Sequence, residues 1–266
     1  MILVAVAAVL PLVGCENGGG APAAGSATSA PPAAAVADTA DLCSAWVDVD
    51  AIGAELLLNR DLTFASPEQV QEVVKEVWSR QEPLLATMDR QAPAEIKPDT
   101  GKLLELARQG AAAGDVATFA SPDLVAADRG IDQYMLRECG YGQLNVDATD
   151  QGFQGVPDTT SAGPVAVSLR NRGQDAHQAV VSRAADGVTE TYPEILALPL
   201  DQQLQKATVL GMVQADPGGV DTVFLRLTPG RHGVVDLLPQ GTTSVDAPGG
   251  GPPNYTVGLV AEFRVT

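Results

Sequence analysis

Residues 162–183 read Ala-Gly-Pro-Val-Ala-Val-Ser-Leu-Arg-Asn-Arg-Gly-Gln-Asp-Ala-His-Gln-Ala-Val-Val-Ser-Arg, and this stretch decides the fold of the C-terminal half. From position 165 to 170, apolar side chains alternate with small or polar ones, which is the period-two pattern of a β-strand. Asn171-Arg172-Gly173 then supplies a turn, and the apolar run 178–183 follows it. The stretch therefore predicts two short strands joined by a tight connection, with His177 at the start of the second strand.

Similar strand patterns recur further along the chain. Short apolar or alternating runs lie at 220–227, 233–238 and 257–265. Turn-forming residues separate them at 228–230 and 249–253. Because most of these short strands have no helix between them, the sequence predicts a Greek-key β-sandwich over 143–266. Residues 191–207 have a helical pattern and are expected to form an excursion between strands.

Residues 39–142 have a different period, since apolar side chains recur there every three or four positions, as on one face of a helix. Ser66-Pro67-Glu68-Gln69 supplies an N-cap, a proline in the first turn and a capping-box partner. Ser121-Pro122-Asp123 opens another helix in a similar way. Four helices with short connections predict an up-down four-helix bundle. The expected fold class is therefore α+β, with the bundle followed by the sandwich.

The N-terminal residues indicate export. The apolar run from Ile2 to Val13 is too short to span a bilayer, which needs about 20 residues, and it is typical of a secretory signal. The run ends in Leu12-Val13-Gly14-Cys15, which resembles the lipobox of bacterial lipoproteins. The resemblance implies a signal peptide over 1–14, a lipid anchor with its fatty-acyl (palmitate) chains on Cys15, and a location on the extracytoplasmic face of the cell membrane. Residues 15–38, rich in Gly, Ala, Ser and Pro, are expected to be a flexible linker.

The chain has three cysteines, and their expected roles follow from export. If Cys15 carries lipid, Cys43 and Cys139 remain as an even pair in an oxidising compartment, and a disulfide between them is expected. Cys43 lies in the first turn of the first predicted helix, and Cys139 lies in the last turn of the fourth. An up-down bundle brings both to one end, so the bundle and disulfide predictions support each other.

Several short segments of 150–266 occur in an order that resembles the cupredoxin-like domains of bacterial lipoproteins. They are Phe153-Gln154-Gly155-Val156-Pro157, Ala162-Gly163, the run from Asn171 to His177, Thr228-Pro229-Gly230, Gly251-Pro252-Pro253 and the last strand 260–265. The helical half also looks like a module that precedes this domain in such lipoproteins, by Cys43 and Trp46 near its start and Cys139-Gly140 at its end.

The cupredoxin resemblance raises the question of a copper site, which needs two imidazoles, a cysteine thiolate and usually a weak thioether. His177 matches the first ligand. The stretch 237–258, from which the other ligands would come, contains no Cys, His or Met, and Asn254 stands where related sequences often have histidine. The domain is therefore predicted to be degenerate, with no metal.

A copper-binding alternative remains open at this stage. It uses His177 and His232, the only two histidines of the chain, with a carboxylate from Asp175 or Asp236. Without such a site, His177 is expected to be a half-buried relic of the ligand position, hydrogen-bonded to a loop backbone, and His232 an exposed turn residue.

Charge and motifs limit the remaining functions. The formal net charge of −17 has no basic patch to offset it, which excludes nucleic-acid binding. No Gly-x-Ser-x-Gly or His-Glu-x-x-His motif occurs, and we expect no enzyme activity. The sequence thus predicts a non-catalytic, membrane-anchored lipoprotein that acts as a binding or scaffold module. Its partners would be the membrane, through the lipid, and an envelope protein or a small ligand.

Overall fold

The computed structural model describes residues 33–62 and 65–266. The predicted signal peptide 1–14, the predicted lipid-attachment residue Cys15 and most of the predicted linker 15–38 lie outside these residues. The first helix, α1, begins at Ala33, within the range assigned to the linker. Among the described helices, none is both long enough and apolar enough to cross a membrane.

Helices make up the first half of the described chain. They are α1 (Ala33–Gly53), α2 (Pro67–Gln91), α3 (Lys97–Ala113) and α4 (Pro122–Glu138). A π-helical turn (Ala54–Leu58) extends α1, and a 3₁₀ turn (Val116–Ala120) precedes α4. The capping box predicted for α2 is present, because the Ser66 hydroxyl accepts the Gln69 N–H while the Gln69 side chain accepts the Ser66 N–H.

The four helices share one apolar core, to which α1 to α4 all contribute buried side chains. Each helix contacts the next one along the chain. Cys43 of α1 forms a disulfide with Cys139, the residue that ends α4. Trp46 Nε1 of α1 also donates a hydrogen bond of 2.9 Å to Asp132 Oδ1 of α4. The first and last helices are therefore joined directly.

Nine strands form the second half. They are β1 (Gly142–Thr149), β2 (Gly152–Gln154), β3 (Thr159–Thr160), β4 (Gly163–Asn171), β5 (His177–Ala184), β6 (Ala207–Ala215), β7 (Val220–Leu227), β8 (Gly230–Val235) and β9 (Val260–Val265). Two short helices, α5 (Tyr192–Leu196) and α6 (Leu200–Lys206), lie between β5 and β6, as the helical pattern predicts. A 3₁₀ turn, Asn254–Val257, precedes β9.

The strands form two mixed sheets, with the orders β2-β1-β4-β7 and β3-β9-β8-β5-β6. β1 pairs with β4 and β3 with β9 in parallel, and the other pairs are antiparallel. Apolar side chains from both sheets pack in one buried cluster, so the sheets form a sandwich. On the opposite face of the first sheet, Ala166 and Phe224 belong to the helical core instead. The α+β fold class is confirmed, and the two halves are packed together.

Some strands differ from the sequence expectation. β1 and β6 were not predicted, although β1 alternates buried Leu144, Val146 and Ala148 with polar residues. β8 begins at Gly230 rather than 233, since its first three residues pair with Val265, Arg264 and Phe263 of β9. β9 begins at Val260 because the preceding 3₁₀ turn ends at Gly258, whose φ of 111° breaks the extended run.

Candidate functional site

The loop that leads into β5 is fixed by Asn171, the last residue of β4. The Asn171 Oδ1 atom accepts the Gly173 N–H at 2.8 Å, and its Nδ2 atom donates to the carbonyls of Asp175 and Ala215. An asparagine that bonds to backbone two residues ahead is a common way to close a turn. The loop delivers His177 to the first position of β5, where its side chain is fully buried.

The imidazole of His177 lies between two carboxylates. Its Nδ1 atom is 2.8 Å from Asp236 Oδ2, and its Nε2 atom is 3.1 Å from Asp150 Oδ1. Asp236 follows β8 and is fully buried, whereas the Asp150 side chain, in the turn between β1 and β2, is 43% exposed. We call Asp150, His177 and Asp236 the histidine network.

Both carboxylates also accept backbone or amide hydrogen atoms. Asp236 Oδ1 accepts the Leu238 N–H at 2.9 Å, and Asp236 Oδ2 accepts the Asn254 Nδ2 group at 3.1 Å. Asp150 accepts the N–H groups of Gln174 and Asp175. Carboxylates in such settings are ionised acceptors. Both ring nitrogens of His177 must then donate, which makes the ring an imidazolium.

The balance of electrostatic effects agrees with this protonation state. Burial alone lowers the pKa of His177, but the hydrogen bonds and negative charges of Asp236 and Asp150 outweigh it, so the pKa is raised. Burial raises the pKa of Asp150, but the Asp175 and Gln174 N–H groups and His177 outweigh that effect, and its pKa is lowered. Below its raised pKa, the His177 ring is an imidazolium, and the network then holds that positive charge between two carboxyl groups.

Glycine at position 173 is required by the same network. A Cβ atom there would lie 2.2 Å from Asp150 Oδ1 and 2.7 Å from His177 Nε2. The loop backbone thus lies directly against the acid and the ring. Asp175, considered above as a copper ligand, turns its Oδ2 atom to the Gly241 N–H at 2.7 Å.

His232 does not join His177, so the proposed pair of histidine ligands is wrong. Strand pairing places His232 opposite Arg183, six positions along β5 from His177, a separation of roughly 20 Å. His232 is also fully buried, and not the exposed turn residue expected, because it lies on β8 with its ring stacked on Phe263. Its Nε2 atom has no hydrogen-bond partner, and burial lowers its pKa, as expected for a neutral ring.

The donor set around His177 does not fit a blue-copper centre. Such a centre needs a second imidazole and a thiolate, whereas Cys43 and Cys139 are bonded to each other in the helical half. Both nitrogens of His177 are already engaged, and the amide of Asn254 donates toward the site instead of offering a lone pair. In the described ranges, no group of three or more His, Cys, Asp or Glu side chains is placed to hold a metal ion.

Sequence reasoning singled out His177 and weighed Asp236, but it missed Asp150. Asp150 is 27 positions before His177, in a turn with no motif of its own. The one local signal was Gly173, since a glycine after Asn171-Arg172 permits a close approach of the backbone.

An open cavity with a volume of about 830 Å³ lies elsewhere, beside the disulfide between Cys43 and Cys139. Leu42, Tyr134, Tyr141 and Pro164 are among its lining residues. The histidine network does not contribute to its wall, so the two features are separate.

No known family profile matches the chain, and no curated protein matches it. Solved structures that are similar over the C-terminal half are cupredoxins. Reduced auracyanin from Roseiflexus castenholzii is 15% identical, with a TM-score of 0.31 over 48% of this chain and 99% of that one. Auracyanin A, a blue copper protein from Chloroflexus aurantiacus, is 13% identical, with a TM-score of 0.29 over 47% and 100%. The blue copper oxidase from Nitrosomonas europaea is 21% identical, with a TM-score of 0.23 over 43% and 35%. Likenesses this low carry no conclusion about the chemistry of this protein.

Proposed function

We propose that the protein is a membrane-anchored extracytoplasmic lipoprotein whose C-terminal half is a degenerate cupredoxin-like domain, acting as a non-catalytic binding or scaffold module. One observation carries the proposal: the only histidine at the candidate ligand position has both ring nitrogens bonded to carboxylates. An imidazolium has no lone pair for a metal. The position that the resemblance assigns to copper is instead used to hold loops together.

Copper would have to replace bonds that already stabilise the fold. A metal at His177 requires loss of a proton and of at least one charge-assisted hydrogen bond, each bond contributing about 1.5–3 kcal/mol. If the ring turned away, Asp236 would keep a buried negative charge with no cation beside it.

The finer architecture is part of the proposal. We infer that α1 to α4 form an up-down bundle, supported by the contacts between successive helices and by the disulfide between Cys43 and Cys139. The cupredoxin-like assignment of the sandwich is supported by its mixed sheets and by His177 at the start of β5. The partner would be an envelope protein or a small ligand, reached from the membrane surface through the linker.

The test is a Cu(II) titration of the purified full chain, followed by calorimetry and visible absorption. We expect no intense visible band and no stoichiometric site that depends on His177. His177→Gln is the variant, and His232→Gln is the matched control because it removes the other histidine. A stoichiometric copper site that His177→Gln abolishes and His232→Gln keeps would establish copper binding in place of the present proposal.

Anchoring is tested separately by Cys15→Ser in cells. The resemblance of Leu12-Val13-Gly14-Cys15 to a lipobox predicts that this change moves the protein from the membrane fraction to the soluble extracytoplasmic fraction. Continued membrane retention of the Cys15→Ser protein would mean that the leader 1–14 is an uncleaved anchor, in place of the lipid. Cys43→Ser is the control, since it removes a different cysteine and should leave the protein in the membrane fraction.

A further inference from the structure

The helices dock on the open edges of both sheets. β7 ends the first sheet and β6 ends the second, so each has backbone groups without a strand partner on one side. The Phe224 N–H of β7 donates to Asp50 Oδ2 of α1 at 2.9 Å. Asn59, just after the π-helical turn, makes two hydrogen bonds of 2.8 Å with the N–H and carbonyl of Val209 in β6. Side chains of the helical half thus cover edges that would otherwise be free to pair.

Four carboxyl groups lie at this joint. They are Asp50 on α1, Asp128 and Asp132 on α4, and Asp221 on β7. Asp50 accepts the backbone N–H of Phe224, and Asp132 accepts the indole N–H of Trp46. Each acid is therefore held by a hydrogen bond from a different element. Among the described residues, none of the four carboxyls forms a salt bridge with a base. We call Asp50, Asp128, Asp132 and Asp221 the joint carboxyls.

The other charged or titratable groups facing the joint carboxyls are few. Arg129 of α4 acts on Asp128 and Asp221 only through space. Arg226 of β7 makes its salt bridge at 3.4 Å with Asp48 of α1, on the exposed rim. Tyr141, just before β1, donates its hydroxyl to the Cys43 carbonyl and remains neutral, because burial raises its pKa. Negative charge inside the joint therefore has no cation in direct contact.

The joint carboxyls are half-buried, except Asp221, which is exposed. Partial loss of solvent and closeness to other acids favour their protonated form. Burial raises the pKa of Asp50 to about 7, despite the opposing Phe224 hydrogen bond. Burial first, and the neighbouring acids next, raise the pKa values of Asp128 and Asp132. Burial also raises the pKa of Asp221, which lies at the solvent edge.

We propose that the joint is a pH-dependent latch: protonated carboxyls keep the helices docked on the edges of β6 and β7, and ionisation of the carboxyls loosens the docking. The device would make the exposure of two strand edges depend on the pH of the surrounding solution. It does not require a metal, a ligand or the proposed lipid anchor.

The direction follows from linkage. A carboxyl with a raised pKa in the docked state binds more protons there than when it is exposed. Docking is therefore strongest below about pH 4, the ordinary value for aspartate, and weakens as pH rises through about 7 at Asp50. The change from docked to loosened joint therefore begins at mildly acidic pH and extends to about pH 9, the raised pKa of Asp132.

The experiment measures amide hydrogen exchange of the full chain at several pH values, corrected for the intrinsic rate of exchange. The protection of the Phe224 and Val209 amides should fall by about tenfold or more between about pH 5 and about pH 8, relative to the inner-strand amide of Val180. Asp50→Asn and Asp132→Asn, singly and together, should flatten this change, because an amide keeps an acceptor but does not ionise. Asp41→Asn, an exposed change on the same helix, is the control and should leave it intact.

Two results would overturn the latch. One is protection at Phe224 and Val209 that does not change with pH relative to Val180. The other is a pH dependence that remains in full in the Asp50→Asn, Asp132→Asn and doubly substituted proteins. A defect in the histidine network would lower the protection of Val180 as well, so the comparison of amides separates the two effects.

Discussion

The histidine network and the joint carboxyls both bring aspartates together where elements meet, but only the network places a base in direct contact with them. Asp236 is fully buried, whereas the joint carboxyls are half-buried or, at Asp221, exposed. Asp236 is in contact with an imidazolium, whereas Asp132 has a tryptophan N–H and other acids as neighbours. In the network a proton creates the positive charge that two carboxylates share. At the joint a proton removes a negative charge that no cation contacts directly. The effect of such an aspartate on stability therefore depends on which groups lie within about 3 Å of its carboxyl group.

The two regions respond to rising pH in the same direction for different reasons. The pKa of His177 is raised in the folded chain, so its contribution to stability is complete below the ordinary histidine value of about 6.5 and is lost as pH rises through the folded value. The contribution of the joint carboxyls to stability is also lost as pH rises, but the loss begins lower, at the ordinary pKa of aspartate. Both regions should make the protein more stable in mildly acidic than in alkaline solution.

The largest expected difference between the two regions comes from making the same Asp→Asn substitution in each. Asp236→Asn should lower the free energy of unfolding by about 3–5 kcal/mol at neutral pH, since it leaves the buried imidazolium without its fully buried counterion. In either orientation, the NH₂ group of the new asparagine also faces another donor. That donor is the Leu238 N–H at the Oδ1 position, or Asn254 Nδ2 and His177 Nδ1 at the Oδ2 position. Urea unfolding monitored by circular dichroism measures the change.

The matched substitution is Asp132→Asn, which should be neutral or stabilising at alkaline pH, because it removes a half-buried charge and keeps the acceptor for Trp46. Equal losses of stability in Asp236→Asn and Asp132→Asn would show that the two regions do not differ as described.

Gly173→Ala tests how tightly the loop closes on the network. The new methyl group would meet Asp150 Oδ1 at 2.2 Å and His177 Nε2 at 2.7 Å, so the acid must move away. We expect a loss of about 1–3 kcal/mol in the free energy of unfolding. Gly187→Ala is a useful control, because its φ of 83° is strained for alanine but its Cβ would meet no atom within 4 Å. An unchanged His177 titration in Gly173→Ala would contradict the contact.

The smallest effect is expected at the rim of the joint. Arg226 and Asp48 are about half exposed, and their nearest N and O atoms are 3.4 Å apart. Arg226→Gln should therefore change the free energy of unfolding by about 0.5 kcal/mol or less at moderate salt. A loss as large as that of Asp236→Asn would mean that the exposed Arg226–Asp48 pair, and not the joint carboxyls, determines docking.

The sequence predicted the parts of this structure that local patterns encode. The strand over 220–227 and the capping box at Ser66 are found where expected, and β5 begins at His177, one residue from the predicted start. Cys43 and Cys139 form the disulfide that was expected because they are the two cysteines left after Cys15. Each of these features depends on periodicity, capping or compartment, and not on long-range packing.

The contacts that give the sites their chemistry could not be predicted in the same way. Asp236 meets His177 across 59 positions, and Asp50 meets Phe224 across 174. His232 was misplaced because its Pro-Gly turn suggested exposure, whereas strand pairing turns its ring against Phe263. Such contacts follow from how the sheets and helices pack, for which one sequence carries no local signal.

His177 is an imidazolium held by Asp150 and Asp236. The direct measurement is the ¹⁵N chemical shift of both His177 ring nitrogens in the full chain at about pH 7, assigned with His177→Gln. We predict that both nitrogens are protonated and remain so above the ordinary histidine pKa. A neutral ring at that pH, with one nitrogen unprotonated and shifting when Cu(II) is added, would contradict the account.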